Sequence, residues 1–381
     1  MGVLYALAAL SRRYGADPAW VLAGGGNTSW KTEDSLYIKA SGFSLATIGE
    51  DGFCSMDRPK LNVIWDKTYP EEKKAREAEA LADLMAARSP GEAKRPSVET
   101  LLHSLFPQAY VVHTHPSLVN GLTCGMNGEA VFHDNFADIG IWVPLVDPGF
   151  VLATAVRDRF LAFCEARGHA PSLLFMQNHG LLVAGDSPEE IDTLSTRVMD
   201  RLGKIVREAG AQPKEEAAAS DARALGSFAG ALGRLAGSDA AILHRSDAAI
   251  LGFAASEAAF QPIARPFSPD HIVYAGHEYL RVDGESGLGK AWDCYIERNS
   301  ISPRIVLAAC LGAFAIGRAQ PAADREAAAK AAGRSLELFV DSCRVAAYSR
   351  AFGGPRHMTP ESVAFIRNWE AESYRASVSA R

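Results

Sequence analysis

The chain has 381 residues, 48% of them hydrophobic, and its 39 basic and 45 acidic side chains give a formal net charge of -6. This length exceeds one common-sized core and predicts two domains, while the lack of a basic excess argues against a nucleic-acid partner. The sequence has no apolar stretch of membrane-spanning length, and its six cysteines form no CxxC pair. We therefore expect a cytoplasmic protein with reduced thiols and no membrane contact.

Helices and strands alternate from the start of the chain. The pattern predicts a helix over residues 3–14, followed by an apolar strand-like run over 20–23 that leads into a glycine-rich turn ending at Ser29. A second predicted strand, 36–40, ends at Ser41 and Gly42. Both turns would present small polar groups at strand ends. A charged amphipathic helix follows over 71–88.

A further helix is predicted to begin near Pro96, with Ser97 as its N-cap, and to run past His103. Later in the chain, Ser187 precedes Pro188 and Glu190 in a capping-box pattern. This pattern predicts a helix that runs to about residue 209.

The tripeptide from His113 to His115 closes the apolar run 109–112 and is stopped by Pro116. Residues two apart on a strand share one face, so the two imidazoles are expected to emerge side by side. His179 follows a second apolar run, 172–176. Any one of these histidines alone is most simply a polar residue hydrogen-bonded at a strand end. Together, three neutral histidines predict a zinc site with one open position for substrate.

The composition changes over residues 210–217, where a polar, proline-containing stretch interrupts the pattern. We place the domain boundary there, which gives a metal-binding catalytic domain over 1–210 and a C-terminal α/β domain of unknown role over 211–381.

The second domain contains a weak internal repeat. Residues 171–185 align without gaps with 303–317, and the first proline and two glycines coincide. In the second copy Leu311 takes the place of His179. Two interpretations stay open: a degenerate duplication that lost its ligand, or two unrelated strand-turn-strand units that share glycines by chance.

Several motifs now carry a family resemblance. They are, in chain order, Gly25-Gly26-Asn27-Thr28-Ser29, Ala40-Ser41-Gly42, Pro96-Ser97-Val98-Glu99, His113-Thr114-His115-Pro116 and Asn178-His179-Gly180. Over residues 1–205 the chain resembles the class II aldolase/adducin family. The remainder is similar to the C-terminal part of the aldolase region in bifunctional rhamnulose-1-phosphate aldolase/short-chain dehydrogenase proteins, without a dinucleotide-binding domain after it.

The resemblance implies a three-layer α/β fold, with a mixed sheet flanked by helices and a second, smaller α/β domain. It implies a lyase that cleaves a ketose 1-phosphate, similar to rhamnulose 1-phosphate, into dihydroxyacetone phosphate and an aldehyde. A zinc ion on His113, His115 and His179 would stabilise the enediolate, and Glu99 matches the acid/base position. Without the motif, Glu99 would be interpreted as a helix-start glutamate favoured by the helix dipole.

The resemblance further implies a phosphate site built from backbone amides and short polar side chains. Its residues are Gly26, Asn27, Thr28, Ser41, Gly42 and Ser97. Val98 stands where some simpler members of the family carry a second serine, so an altered pocket or an unphosphorylated sugar stays open. His103, one helical turn after Glu99, is a candidate for a supporting contact.

Other functions stay open on the same metal site: an epimerase, a dehydratase or a decarboxylase acting on a sugar phosphate. A non-catalytic adducin-like scaffold is a further alternative, although all three histidines and the glutamate are present. The resemblance also implies a homo-oligomer, and the C-terminal domain is a candidate docking site for a separately encoded short-chain dehydrogenase.

Overall fold

The computed structural model describes residues 2–218, 221–319 and 324–369. The described chain divides into two compact units: unit 1 holds residues 2–123, 127–205 and 368–369, and unit 2 holds 124–126, 206–319 and 324–367 apart from 219–220. The main division, after residue 205, lies close to the boundary predicted at 210. Within the described ranges, no helix combines the length and apolarity that a membrane crossing requires.

Unit 1 begins with a helix and then alternates strands and helices. Its elements are α1 (Val3–Gly15), β1 (Asn27–Lys31), β2 (Ser35–Lys39), β3 (Phe53–Asp57), α2 (Arg58–Ile64), α3 (Lys73–Ala86), α4 (Thr100–Leu105), β4 (Tyr110–Thr114), α5 (Ser117–Thr123), α6 (Gly128–Phe136), β5 (Gly140–Val143), α7 (Phe150–Arg167), β6 (Leu173–Met176), β7 (Gly180–Gly185) and α8 (Pro188–Glu208). Short 3-10 turns cover Leu45–Thr47 and Glu50–Gly52.

The seven strands of unit 1 form one sheet in the order β3-β2-β1-β4-β7-β6-β5. Only β5 and β6 run parallel, joined by the crossover helix α7, and all other neighbours are antiparallel. One face of this sheet carries a continuous apolar core that includes Ile38, Val111, Leu174 and Leu182. The prediction of a mixed α/β sheet flanked by helices is confirmed.

The capping box before α8 is present, because the Ser187 hydroxyl accepts the Glu190 N–H at 3.2 Å and the Glu190 carboxylate accepts the Asp186 N–H at 2.8 Å. The helix expected from Pro96 begins later, at Thr100, with Glu99 at the N-cap. Ser97 still serves the helix start, since its hydroxyl accepts the Glu99 N–H at 3.2 Å.

The apolar run over 20–23 is not a strand, contrary to the sequence-based expectation. Its backbone turns instead: the Trp20 N–H bonds the Asp17 carbonyl, the Gly25 N–H bonds the Leu22 carbonyl, and Ala23 has a φ of 49°. The strand begins only at Asn27. Residues 27–29, which were expected in a turn, therefore alternate between the two faces of the sheet.

A buried lysine at the end of β1 makes stability depend on pH. Lys31 is 4% exposed, and its ammonium donates to the Gln108 carbonyl at 2.5 Å. Burial, and then the charge of Arg58, lower the pKa of Lys31 to about 7. The unfolded chain, with a lysine pKa near 10.4, therefore binds more protons above pH 7. This residue's contribution makes the protein more stable as pH rises from about 7 to 10.

Lys31→Met is therefore expected to stabilise the chain by about 2–3 kcal/mol at pH 7, after allowing for the lost bond to Gln108, and by close to nothing at pH 9. Urea unfolding at the two pH values measures the difference. Lys74→Met, at an exposed position of α3, serves as the control and should show no such pH dependence. An equal gain for Lys31→Met at both pH values would contradict this interpretation of the buried lysine.

Unit 2 is a smaller α/β unit. Its elements are α9 (Ala222–Ala236), β8 (Ala241–Arg245), α10 (Ala248–Ala254), α11 (Glu257–Phe260), β9 (Leu280–Val282), α12 (Glu285–Asn299), β10 (Ile305–Ala308), β11 (Gly312–Gly317), α13 (Arg325–Ser349) and α14 (Pro360–Asn368), with a π-helical turn at His271–Ala275 and 3-10 turns at Gln261–Ile263 and Arg350–Phe352. Its four strands form a sheet in the order β8-β11-β10-β9. The expected second, smaller α/β domain is present.

Candidate active site

The strands β4, β6 and β7 bring three histidines together. Every residue of β4 is buried, including His113 near its end, and His115 follows the strand directly. β4 pairs with β7, with His113 opposite Leu182, and His179 lies in the turn between β6 and β7. Asn178 makes this turn possible by adopting a φ of 56°, a conformation that asparagine tolerates better than most residues.

The three imidazoles have the geometry of a metal site. The Nε2 atoms of His113 and His115 are 2.9 Å apart, and the ligand atoms of all three histidines lie within 4.8 Å of one another. Nitrogens bound to one tetrahedral zinc ion are roughly 3.4 Å apart, so a small adjustment of the rings admits the ion. In the described ranges this is the one cluster of three or more such ligands.

The backbone fixes the orientation of the His113 ring. His113 Nδ1 lies 2.9 Å from the Leu181 carbonyl oxygen. A carbonyl only accepts, so Nδ1 carries a proton and Nε2 is the ring nitrogen that faces the other two histidines. No sequence motif marks this contact, because it is made by a main-chain atom.

Glu99 lies against the histidines. Its Oε1 is 3.1 Å from His179 Nε2 and 3.4 Å from His113 Nε2, and its Oε2 accepts a hydrogen bond of 2.6 Å from the Asn27 amide. Burial acts to raise the pKa of Glu99, but the charge of His113 and the hydrogen bonds from both histidines outweigh it and hold the pKa well below its usual value. The carboxylate is thus ionised, and its contacts with His113, His179 and Asn27 orient it.

Several of the predicted phosphate-site residues lie around this carboxylate. The Asn27 amide also reaches the Ser97 hydroxyl at 3.3 Å, and the Ser41 hydroxyl donates to the Pro96 carbonyl at 3.2 Å. Gly42 has a φ of 96°. Asn27, Ser41 and Ser97 are therefore linked through the segment that leads to Glu99.

The remaining two predicted residues differ in their surroundings. Gly26 has a φ of 71° and packs so closely on β4 that a Cβ there would lie 2.7 Å from the His113 carbonyl oxygen. Thr28 is fully buried, and its hydroxyl is 2.6 Å from that of Ser11 on α1. The side chains of Thr28 and Asn27 point to opposite faces of the sheet, because β1 is a strand here.

A second contact ties α4 to β1. His103 is fully buried, its Nδ1 lies 2.7 Å from the Ser29 hydroxyl, and burial lowers its pKa well below the usual value, so the ring is neutral. Four residues along a helix and two along a strand each advance by about 6–7 Å. The pairs Asn27–Glu99 and Ser29–His103 therefore form two successive links between the same strand and helix.

Loss of the Ser29–His103 link is expected to displace Glu99 without removing it. His103→Leu and Ser29→Ala should each lower kcat about tenfold and leave metal content unchanged. The double variant should be no slower than either single one, because both remove the same link. His103→Asn, which can keep a polar atom near Nδ1, should lose less. Full activity in a folded Ser29→Ala variant would contradict this role.

The chain belongs to the class II aldolase/adducin family, because the family model "Class II Aldolase and Adducin N-terminal domain" matches residues 5–198. This confirms the family resemblance drawn from the motifs. The matched region includes the three histidines, Glu99 and the segments around Asn27 and Ser41.

Similar proteins include a Bacillus subtilis (strain 168) protein called "Uncharacterized oxidoreductase YuxG", 31% identical over 189 residues, which are 47% of this chain but only 26% of that protein. Among solved structures, the N-terminal class II aldolase domain of a conserved Thermoplasma acidophilum protein is 26% identical, with a TM-score of 0.45 over 54% of this chain and 94% of that chain. The l-fuculose-1-phosphate aldolase from Thermus thermophilus is 14% identical, with a TM-score of 0.36 over 54% and 93% of the two chains.

Proposed function

We propose that this chain is a metal-dependent aldolase that cleaves a ketose 1-phosphate, similar to rhamnulose 1-phosphate, into dihydroxyacetone phosphate and an aldehyde. One observation carries the proposal: the Glu99 carboxylate, whose side chain is only 13% exposed, lies within 3.1–3.4 Å of two of three clustered imidazole nitrogens. A set of neutral ligands and an adjacent carboxylate suits the making and breaking of a bond next to a carbonyl.

The histidines His113, His115 and His179 would hold the metal, which we propose to be zinc, since a three-nitrogen site that leaves one position open is typical of catalytic zinc. When bound, the ion would act as a Lewis acid on the carbonyl group of the ketose. The Leu181 carbonyl would keep His113 in the required tautomer throughout, as it holds the Nδ1 proton.

Glu99 would transfer the proton. Its Oε1 faces the histidines, whereas its Oε2 is held by the Asn27 amide, so one oxygen is left to exchange a proton with the carbon from which the aldehyde departs. The hydrogen bond from the Asn27 side-chain amide stabilises the ionised form of Glu99. We propose that in cleavage Glu99 takes up the proton released by the hydroxyl group of the departing aldehyde and gives a proton to that carbon, and that both transfers run in reverse in condensation.

The phosphate group would lie at the segment formed by Gly26, Asn27, Ser41, Gly42 and Ser97. The positive φ values of Gly26 and Gly42 let the backbone come close to an anion, and the hydroxyls of Ser41 and Ser97 can turn from their present partners to a phosphate oxygen. We propose no phosphate contact for the Thr28 side chain, which bonds Ser11.

The assembly and setting are further proposals. We infer that the protein is a cytoplasmic homo-oligomer, consistent with six free cysteines, and that it delivers its aldehyde product to a separate short-chain dehydrogenase.

The test is an assay of triose phosphate release from a panel of ketose 1-phosphates, including rhamnulose 1-phosphate, with metal-replete protein. Release of dihydroxyacetone phosphate that stops on chelation and resumes on adding Zn²⁺ would support the proposal. Epimerisation, dehydration or decarboxylation of the same sugars without triose release would contradict the aldolase assignment and favour another reaction at this site. A protein that binds metal and turns over no sugar phosphate would contradict the proposed function altogether.

A further inference from the structure

The sheet of unit 2 repeats half of the sheet of unit 1. Strands β8-β11-β10-β9 have the same order and directions as β4-β7-β6-β5: the last pair in each set is parallel and the other neighbours are antiparallel. The parallel pairs are joined by single helices, α12 and α7, and a long helix follows each of β11 and β7. The two halves thus share their chain path as well as their strand order.

The pairing registers coincide residue by residue when 171–185 is aligned with 303–317. Gly185 pairs with Tyr110 and Gly317 with Ala241, while Leu182 pairs with His113 and Phe314 with His244. In the parallel pairs, Met176 lies opposite Val143 and Ala308 opposite Val282. The β6–β7 and β10–β11 hairpins also pair in the same register, with Met176 opposite Gly180 and Ala308 opposite Gly312, an agreement not expected of two unrelated units.

The turn that carries His179 is reproduced in unit 2. Asn178 and Cys310, its equivalent in the same alignment, both adopt positive φ, 56° and 62°, which is uncommon for residues other than glycine. The N–H of His179 bonds the Met176 carbonyl at 3.1 Å, and that of Leu311 bonds the Ala308 carbonyl at the same distance. Cysteine has no special preference for this conformation. We therefore attribute the conformation shared by the two turns to inheritance of the turn and not to the residue type.

The buried faces agree as well. The core residues on β9, β10 and β11 occupy the same positions as those on β5, β6 and β7, at every one of six sites. The corresponding residues are, in order, Leu280 and Ile141, Val282 and Val143, Val306 and Leu174, Ala308 and Met176, Phe314 and Leu182, and Ile316 and Ala184.

The same equivalences locate the counterparts of the metal ligands. His244 corresponds to His113, Ser246 to His115 and Leu311 to His179. A Cβ added at Gly312 would meet the Arg245 carbonyl, Ser246 and His244, just as one added at Gly180 would meet the Thr114 carbonyl, His115 and His113. The helix before β4 and the helix before β8 are each separated from the strand by four residues. Counting back the same number of residues from the two helix ends therefore places Gly230 at the position of Glu99.

We propose that unit 2 is a duplicated metal-site scaffold that has lost two of its three ligands, and that Ser246→His with Leu311→His, beside the native His244, is sufficient to create a second divalent-metal site. This inference rests on the proposed metal site of unit 1 but not on the proposed reaction. Two details agree with a lost site: the His244 ring still faces the turn, with Nε2 2.8 Å from the Leu311 carbonyl, and the Ser246 hydroxyl is buried without a hydrogen-bond partner in the described structure. With glycine in place of Glu99, the natural unit 2 has lost the proton-transfer group too.

The experiment is titration of the metal-free protein with Co²⁺, read from the visible absorption of the bound ion and from elemental analysis after removal of excess. The natural chain is expected to bind one equivalent and the Ser246→His, Leu311→His variant two. The matched Ser246→Ala, Leu311→Ala variant should bind one. The substitutions His115→Ser and His179→Leu copy the unit 2 pattern into unit 1. Added to the Ser246→His, Leu311→His variant they should leave one equivalent of bound metal, and added to the natural chain they should leave none.

A folded Ser246→His, Leu311→His variant that binds no more metal than the natural chain would overturn the proposal. If that variant fails to fold, a second test remains, in which the unit 1 turn sequence is placed in unit 2 as Ala309→Gln, Cys310→Asn and Leu311→His. Because the two turns have the same backbone conformation, this graft is expected to fold with a melting temperature within a few degrees of the natural chain. Its failure to fold would show that the two turns are not equivalent.

Discussion

Glu99→Gln is expected to lower kcat for retro-aldol cleavage by about 10³-fold while metal content stays near that of the natural protein. The Glu99 side chain lies 3.1 Å from His179 Nε2, and its other oxygen accepts the Asn27 amide. Glutamine has the same length and can keep the bond to Asn27 but cannot accept and return a proton. The three imidazoles, which we propose to hold the metal, are unchanged.

The measurement is kcat together with metal content for Glu99→Gln beside Glu77→Gln. Glu77 is a buried carboxylate of unit 1 that accepts a hydrogen bond from the Phe150 N–H rather than from a histidine. The control should keep its kcat. A Glu99→Gln protein that retains both its metal and most of its activity would show that another group transfers the proton.

Gly180→Ala is expected to reduce metal affinity at least tenfold and to destabilise unit 1, although it removes no ligand. A Cβ at this position would lie 2.6 Å from the Thr114 carbonyl oxygen, 2.6 Å from the His115 ring and 3.3 Å from the His113 ring. The side chain of His115 can swing away, but the Thr114 carbonyl is part of the β4 backbone. The strand must therefore shift and move both histidines relative to His179.

Metal affinity by competition with a chelator, and thermal unfolding, measure this effect. The control is Gly226→Ala in α9, where an added Cβ meets nothing within 4 Å and should be neutral or slightly stabilising. Unchanged metal affinity in Gly180→Ala would mean that the close approach of the turn to β4 is not what positions the ligands.

The clustering of the three histidines was predictable from sequence because strand geometry is regular. A pair of histidines two apart at the end of an apolar run, and a third after another such run, requires only the alternation of side chains and the pairing of the strands. The spacing that places Glu99 and His103 on one helix was visible for the same reason. Their partners Asn27 and Ser29 were missed because residues 27–29 were expected in a turn, whereas in β1 both lie on one face of the strand.

The sequence was misleading where tertiary contacts override local pattern. Residues 20–23 are apolar enough for a strand, but their backbone bonds within a turn and Ala23 takes a positive φ, so β1 starts at Asn27. The placement of the strand at 27–31 instead of 20–23 decides which face Thr28 occupies. Its hydroxyl bonds Ser11, a contact between residues 17 apart that no local rule anticipates.

The internal repeat was only suggested by the sequence, since one proline and two glycines can coincide by chance. What separates the two interpretations is the strand register and the left-handed conformation shared by Asn178 and Cys310, neither of which is encoded in residue type.

The central claim, that the three histidines form a catalytic metal site, is tested most directly by elemental analysis of the purified, metal-replete protein beside a His113→Ala, His115→Ala double variant. His133→Ala, at an exposed position of α6, controls for the loss of a histidine elsewhere. We expect close to one equivalent of metal in the natural protein and in the control, and loss of both metal and triose phosphate release in the double variant. A natural protein that takes up no metal under replete conditions, or a double variant that keeps it, would contradict the claim.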